Sequence, residues 1–285
     1  MGRIFYVNGD FVAEEDAKIS VLDRGFLFAD AVYEVSTILD GKLIDNKAHL
    51  ARLARSMSEL SMNSPCSDAE IQTAQEELVK LNDVKEGLLY LQVSRGVADR
   101  DFGFPAHKNS SLVMFTQSKT LIDNPKAASG INIISIDDLR WKRRDIKTVG
   151  LLAPCLGKQQ AIDAKADDAW MVEEGYVTEG TSNNAYIVTQ DKKIKTRQLG
   201  NEILSGITRR AVLKFASQAG YEVVEEAFTL QEVENASEAF ITSASTFVMP
   251  VVRIDGKPIG DGTVGPVATE LRKIYIQTAL DNPDL

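Results

Sequence analysis

Four dipeptides ending in glycine, Asn8-Gly9, Asp40-Gly41, Glu174-Gly175 and Asp255-Gly256, interrupt or close runs of apolar and β-branched residues. Glycine supplies the positive φ that a tight turn requires, and a strand entering such a turn comes back beside itself. The chain is thereby committed to hairpins near its start and again in its second half. Ile4 to Val7 turns into Phe11-Val12, Ala31 to Leu39 into Lys42-Leu43-Ile44, and Ala169 to Glu173 into Tyr176 to Thr178.

Helical spacing follows the first strands. Asn46 is placed to cap a helix with Leu50, Leu53, Met57 and Leu60 on one face. Ser67 and Glu70 form a capping box ahead of Ile71, Ala74, Leu78 and Leu81. Two helices thus cover one sheet. Leu88 to Ser94 and Leu112 to Thr116 read as further strands around a loop, Arg95 to Pro105, that is too long for a hairpin. The apolar pattern lapses from Ser118 to Ser129 around Asn124-Pro125, which predicts a connector at 121–130 between a domain at 1–120 and a second at 131–285. The second half repeats the mixed texture. Ile131 to Ile136, Ala239 to Thr242 and Val251 to Ile254 read as strands, and Lys158 to Lys165 as a helix. A helix from Ile207 to Ala219 stops at Gly220, and another starts at Pro266.

Composition narrows the chemistry. With 44% apolar and 26% charged residues the chain has the balance of a soluble globular protein. Its 32 basic and 41 acidic residues give a net charge of −9, which argues against a nucleic-acid or anionic-membrane partner. No apolar run approaches the ~20 residues that span a bilayer, and no basic-apolar leader precedes the first hairpin, so a cytoplasmic location is expected. Cys66 and Cys155 are too few for a disulfide framework, and His49 and His107 too few for a metal cluster. No metal is expected. Hard chemistry must come from a non-metal cofactor or from carboxylates and lysines.

One lysine is out of place. In Arg143-Arg144-Asp145-Ile146-Lys147-Thr148-Val149-Gly150-Leu151-Leu152, strand alternation puts Lys147 on the face of Val149 and Leu151, which an apolar core would claim. An ammonium there must be paired or neutralised, and a desolvated lysine is the form that makes Schiff bases. Further on, Val177-Thr178-Glu179-Gly180-Thr181-Ser182-Asn183-Asn184 puts a carboxylate in a turn-like setting, where by itself it would be a solvated turn residue.

These two stretches, together with Asp23-Arg24-Gly25, Asp30-Ala31-Val32-Tyr33-Glu34-Val35, Ser243 and Pro250, resemble the class IV (fold type IV) pyridoxal-phosphate aminotransferases, most closely the D-amino acid transaminase branch. The resemblance runs over nearly the whole chain. It implies an α+β, two-domain architecture, with a smaller N-terminal α/β domain, a larger C-terminal domain containing a barrel-like sheet, and pyridoxal 5'-phosphate between them. Lys147 matches the catalytic lysine that holds the cofactor and shuttles the substrate proton, and Glu179 the carboxylate facing the ring nitrogen. Arg52, in His49-Leu50-Ala51-Arg52-Leu53, matches the phosphate-binding arginine, and Leu204 the residue packed on the ring. Ile207 and Thr208 match the phosphate cup at a helix start. Ser243 aligns with the same cup, but Ala244 stands where the family places a threonine, leaving the Ala244 N–H or Ser245 to serve.

The resemblance assigns the substrate carboxylate to Tyr33 and to a loop around Arg100 that reaches in from a neighbouring subunit, implying a homodimer. In that branch the arginine is followed two positions on by a histidine. Here Phe102 takes that place. The implied activity is transamination of D-amino acids such as D-alanine, with 2-oxoglutarate or pyruvate as acceptor. Branched-chain L-amino acid transamination, (R)-amine transamination and aminodeoxychorismate lyase activity are alternatives within the family, and a catalytically silent cofactor carrier or a structural dimer that keeps the fold without turnover is one from a different functional class.

Overall fold

A computed structural model describes residues 2–106 and 109–285. His107, one of the two histidines weighed above for metal binding, lies outside the described residues. The chain divides into two compact units: Met1–Thr120 with Ile146–Gly150 and Ala279–Leu285, and Leu121–Asp145 with Leu151–Thr278.

Unit 1 contains β1 (Ile4–Val7), β2 (Asp10–Ala13), α1 (Arg24–Phe28), β3 (Ala31–Leu39), β4 (Lys42–Ile44), α2 (Asn46–Glu59), α3 (Asp68–Leu81), β5 (Glu86–Ser94) and β6 (Ser111–Ser118). Its six strands run β2-β1-β6-β5-β3-β4, and every pairing is antiparallel. Alternation along β3 sends Val32, Glu34, Ser36 and Ile38 to one face, where α2 packs. Val32 and Ile38 join Leu50, Leu53, Ile71 and Leu78 in the core. Glu34 is a carboxylate on that same apolar face, which positions the site described below.

Ser67 and Glu70 form the expected capping box. Asn46 does not cap α2. It is the first helical residue, preceded by Asp45 at φ 55°, and its side chain is buried. Asn46 Nδ2 donates to Gln75 Oε1 at 2.8 Å, and Ser36 Oγ donates to Asn46 Oδ1 at 3.2 Å, so it ties two helices to β3 instead.

Two later stretches belong to unit 1, where the sequence suggests one continuous second domain. Tyr33 N–H donates to the Lys147 carbonyl at 3.0 Å and Val149 N–H to the Ala31 carbonyl at 3.1 Å, while the Ile146 side chain enters the unit 1 core. Asp45 N–H donates to the Pro283 carbonyl at 2.7 Å, and Lys47 pairs with Asp284 at 2.7 Å.

Unit 2 contains α4 (Pro125–Ser129), β7 (Ile131–Asp137), α5 (Leu152–Asp163), β8 (Asp168–Glu173), β9 (Tyr176–Gly180), β10 (Asn184–Val188), β11 (Ile194–Thr196), α6 (Ile207–Gln218), β12 (Val223–Glu225), α7 (Leu230–Glu234), β13 (Glu238–Ser243), β14 (Phe247–Ile254), β15 (Lys257–Pro258) and most of α8 (Pro266–Asp281). Its nine-stranded sheet runs β12-β11-β10-β13-β14-β7-β8-β9, with β15 on β14. The sheet is curled, since β9 at one end packs against β10 near the other. Trp170, Phe228, Ile187 and Met249 are among the side chains of its core. Helix α5 starts at Leu152 rather than Lys158. No side chain caps it, and Pro154 falls in its first turn, where a missing N–H does no harm. The expected connector is partly ordered, because Leu121 is buried and Asn124 caps α4 through the Lys126 N–H at 3.0 Å. Among the described residues no helix is long and apolar enough to cross a membrane.

Candidate functional site

In unit 1, Glu34 meets two residues one helical turn apart on α2. Arg52 donates from Nε to Glu34 Oε1 at 2.8 Å and from Nη2 to Oε2 at 2.7 Å, and His49 Nδ1 lies 2.7 Å from Oε2. Burial alone would raise the Glu34 carboxyl. The Arg52 charge and the bonds from Arg52 and His49 overcome burial and hold it at about 2. Burial also pushes the His49 ring below its usual value, against the pull of Glu34. An ionised carboxylate only accepts, so the neutral ring carries its proton on Nδ1 and presents Nε2 as an acceptor. Arg52, expected at a phosphate, is therefore held in a fixed orientation by a buried carboxylate.

The depressed Glu34 pKa makes a stability prediction. Its contribution is fully present above the ordinary carboxyl value of 4.5 and is lost as pH falls toward 2. Glu34→Gln removes the carboxylate charge that faces the buried Arg52 guanidinium and lowers stability at neutral pH by about 3 to 5 kcal/mol. The variant also unfolds with a shallower acid dependence across that window. Denaturant titrations at several pH values check this, and equal stabilities with equal slopes would refute it.

Strand alternation sends Tyr33 to the opposite face of β3, where its ring stacks on Tyr90 at 5.6 Å and Tyr90 stacks on Phe115 at 4.9 Å. Lys147 reaches this aromatic face, with Nζ 4.1 Å from the Tyr33 ring centroid. The structure corrects the face assigned to Lys147 from the sequence. Residues 146–150 form no long strand, only a bridge from Thr148 to Val32. Ile146 takes the core side, so Lys147 is half-buried over Tyr33. Its N–H donates to Ser56 Oγ at 3.4 Å.

Arg100 and Phe102 lie on an exposed loop of the same unit. The Arg100 guanidinium is 5.3 Å from the Phe28 ring and 5.6 Å from the Phe102 ring. Arg100 thus packs on aromatic rings of its own loop and of α1, and among the described residues it makes no ring contact with Tyr33. Phe102 is 79% exposed and Phe104 63%.

In unit 2, β9 carries Glu179 inward. Its buried carboxylate accepts from Arg140 Nη1, from Asn184 Nδ2 at 2.9 Å and from the Leu204 N–H at 3.1 Å. Burial pushes the Glu179 carboxyl up, while the Arg140 charge and the Arg140 and Leu204 bonds pull it back. Arg140 is shared: Nε and Nη2 also donate to Asp138 at 2.9 and 2.7 Å. Asn184 Nδ2 also donates to the Leu204 carbonyl at 2.9 Å, and a Cβ on Gly206 would collide with Asn184 Oδ1. A single amide thus holds Glu179, Leu204 and the entrance to α6 in register.

Helix α6 begins at Ile207 and Thr208, both buried, after Gly206, whose lack of a side chain leaves the helix start uncapped from that position. Its first N–H groups and dipole end suit an anion. Ser243 ends β13, and its Oγ lies 2.7 Å from Thr246 Oγ1 and 3.2 Å from Ser245 Oγ. Hydroxyls therefore flank Ala244 on both sides, in the turn where the resemblance leads one to expect a threonine.

The sequence alone gives no role to Glu34, Arg140, Asp138 or Asn184, and sets His49 only against metal binding. Glu34 was visible as a charge inside an apolar strand, and His49 as the residue one turn before Arg52. Asn184 stood at the end of the Glu179 stretch. Nothing local marks Asp138 or Arg140, whose partner Glu179 is 39 positions away.

A family model described as amino-transferase class IV matches residues 31–254. A D-alanine aminotransferase of Staphylococcus aureus (strain N315) is 37% identical over 276 residues, covering 96% of each chain. A D-alanine aminotransferase of Bacillus licheniformis is 39% identical over 277 residues, covering 96% of this chain and 95% of its own. Among solved structures, a T.th. branched-chain amino acid aminotransferase with pyridoxamine 5'-phosphate has a TM-score of 0.92 at 28% identity, covering 98% of this chain and 94% of that chain.

Proposed function

The chain belongs to the amino-transferase class IV family, and on that premise we propose that it transfers the amino group of a D-amino acid such as D-alanine to 2-oxoglutarate or pyruvate, using pyridoxal 5'-phosphate. The observation that carries the D-amino acid reading is the identity of 37% and 39% to D-alanine aminotransferases along almost their whole length.

The residues present fit this cofactor. It needs an amine for its aldehyde, a carboxylate for its ring nitrogen and donors for its phosphate. When bound, it supplies an aldehyde that exchanges amino groups and a ring that accepts the electron pair released as the substrate Cα–H bond breaks. Lys147 would anchor the aldehyde and, once displaced, take the proton from the substrate Cα and pass it to the carbon that receives the amino group. Glu179, buried and fixed by three donors, would keep the ring nitrogen protonated. Ile207 and Thr208 offer N–H groups, and the Ser243-Ala244-Ser245-Thr246 turn offers hydroxyls, to the phosphate. Arg52, oriented by Glu34, would add positive charge there, and Leu204 would pack on the ring.

Tyr33 and Arg100 would hold the substrate carboxylate, with the Arg100 loop supplied by a second copy of the chain. Phe26, Phe102 and Phe104 are 70%, 79% and 63% exposed on unit 1, which supports burial of this surface in a homodimer. The free thiols Cys66 and Cys155 suit a reducing, cytoplasmic location. A second reading is branched-chain L-amino acid transamination, favoured by the backbone match to the T.th. branched-chain enzyme and by the apolar Phe102.

A donor panel of D-alanine, L-alanine, L-leucine, L-valine and chiral amines, with 2-oxoglutarate as acceptor, separates the readings. D-alanine reacts and L-alanine does not. Arg100→Ala raises the KM for D-alanine more than it lowers kcat, because the arginine is assigned to binding. If L-leucine or L-valine outpaces every D-amino acid, the second reading holds.

A further inference from the structure

Arg272 on α8 is 8% exposed, and its guanidinium pairs with no carboxylate among the described residues. It faces backbone carbonyls instead. Nη1 donates to Thr246 O at 2.7 Å and to Val248 O at 3.0 Å, and Nη2 to Leu121 O at 2.7 Å and Ile122 O at 3.0 Å. The guanidinium carbon also lies 5.4 Å from the Phe247 ring centroid. Burying a charge without a counter-charge is costly, so an arginine here needs a reason.

The reason lies in what it grips. Thr246 and Val248 flank Phe247, a buried residue at φ 58°, a conformation that a side chain of this bulk rarely adopts. The strained residue ends the turn in which the Ser243 hydroxyl lies within hydrogen-bond reach of those of Ser245 and Thr246. A peptide unit is planar and trans, so drawing the Thr246 carbonyl to Arg272 turns the Phe247 N–H the opposite way. Strain of this kind persists only where the surroundings over-determine it. Two carbonyl bonds on either side of Phe247 and a ring contact do so, from one buried side chain that two further bonds anchor to Leu121 and Ile122.

We propose that Arg272 is a positioning residue for anion binding, acting through the Ser243–Phe247 turn to hold its hydroxyls and N–H groups in the geometry that receives the cofactor phosphate. This rests on reading that turn as part of the phosphate cup. Arg272 itself points at carbonyls and would not touch the anion. A role in fold stability alone would weaken every ligand equally, whereas a role in shaping the cup discriminates between ligands with and without a phosphate.

The test uses the full chain freed of cofactor, titrated with pyridoxal 5'-phosphate and with pyridoxal, which lacks the phosphate. Arg272→Lys keeps a cation but cannot span four carbonyls. It should lose about 10-fold or more in affinity for pyridoxal 5'-phosphate, as expected when charge-assisted bonds are removed, while pyridoxal affinity is unchanged and amide exchange rises across residues 244–248. Equal weakening of both ligands, or unchanged exchange in that turn, overturns the inference while leaving the cup reading in place. If the wild-type chain binds pyridoxal as tightly as pyridoxal 5'-phosphate, the cup reading fails and the inference falls with it. Should Arg272→Lys not fold, exchange on the wild-type chain decides: the N–H groups of 246–248 exchange as slowly as those of α8 around position 272, and faster exchange in the turn refutes the assignment.

Discussion

Lys147→Ala abolishes measurable amino-group transfer while the protein unfolds at the wild-type temperature. The fold survives because what ties residues 146–149 to β3 is backbone: the Lys147 carbonyl accepts from the Tyr33 N–H, and the Val149 N–H donates to Ala31. Alanine keeps both bonds, and Ile146 still fills the core. What disappears is the amine over the Tyr33 ring. That group is assigned both the covalent hold and the proton transfer, so the loss should be roughly 1,000-fold or more. Single-turnover rates with D-alanine measure it. A near-normal rate in the absence of any added small amine would remove Lys147 from its role.

Glu179→Gln is expected to bind cofactor yet slow Cα–H bond breaking by about 100-fold or more, the usual scale for deleting a preorganised charge. The geometry explains why so small a change matters. An amide oxygen can accept from Arg140 or Leu204, but the new NH2 group must then face a donor. Asn184 cannot easily turn its own oxygen round, since its Nδ2 is committed to the Leu204 carbonyl and its Oδ1 lies against Gly206. The substitution therefore removes a charge and breaks a bond in the lattice that aligns Leu204 with α6. A deuterium isotope effect with α-deuterated D-alanine should grow in the variant. If the single-turnover rate is unchanged, Glu179 has no part in the step.

Local chemistry was readable and distant pairing was not. The hairpins at Asn8-Gly9 and Asp40-Gly41 form as their turn residues dictate, and the Ser67 capping box closes on Glu70. Asn46 misled because a polar residue before an apolar helical stripe looks like a cap, whereas here Asp45 takes that position and Asn46 is drawn into the interior by Gln75. Alternation puts Lys147 on the wrong face, since it presumes a continuous strand and residues 146–150 make only a bridge. The Asp138–Arg140–Glu179 arrangement was illegible because bringing β7 and β9 near each other is a property of the sheet order, not of any window of sequence.

The threading of unit 1 has a bearing on how the chain is made. A ribosome delivers residues 1–120 before 146–150, and 279–285 later still. Before 146–150 emerge the Tyr33 amide lacks its carbonyl partner and the hollow that Ile146 fills is open, and before 279–285 emerge the Asp45 amide lacks its own. The first unit therefore cannot finish folding on its own while the second is still being synthesised, contrary to the usual order in which N-terminal domains mature first. Its nascent form keeps the Ile146 hollow uncovered until 146–150 emerge, and the Asp45 amide unpaired until 279–285 have been added as well.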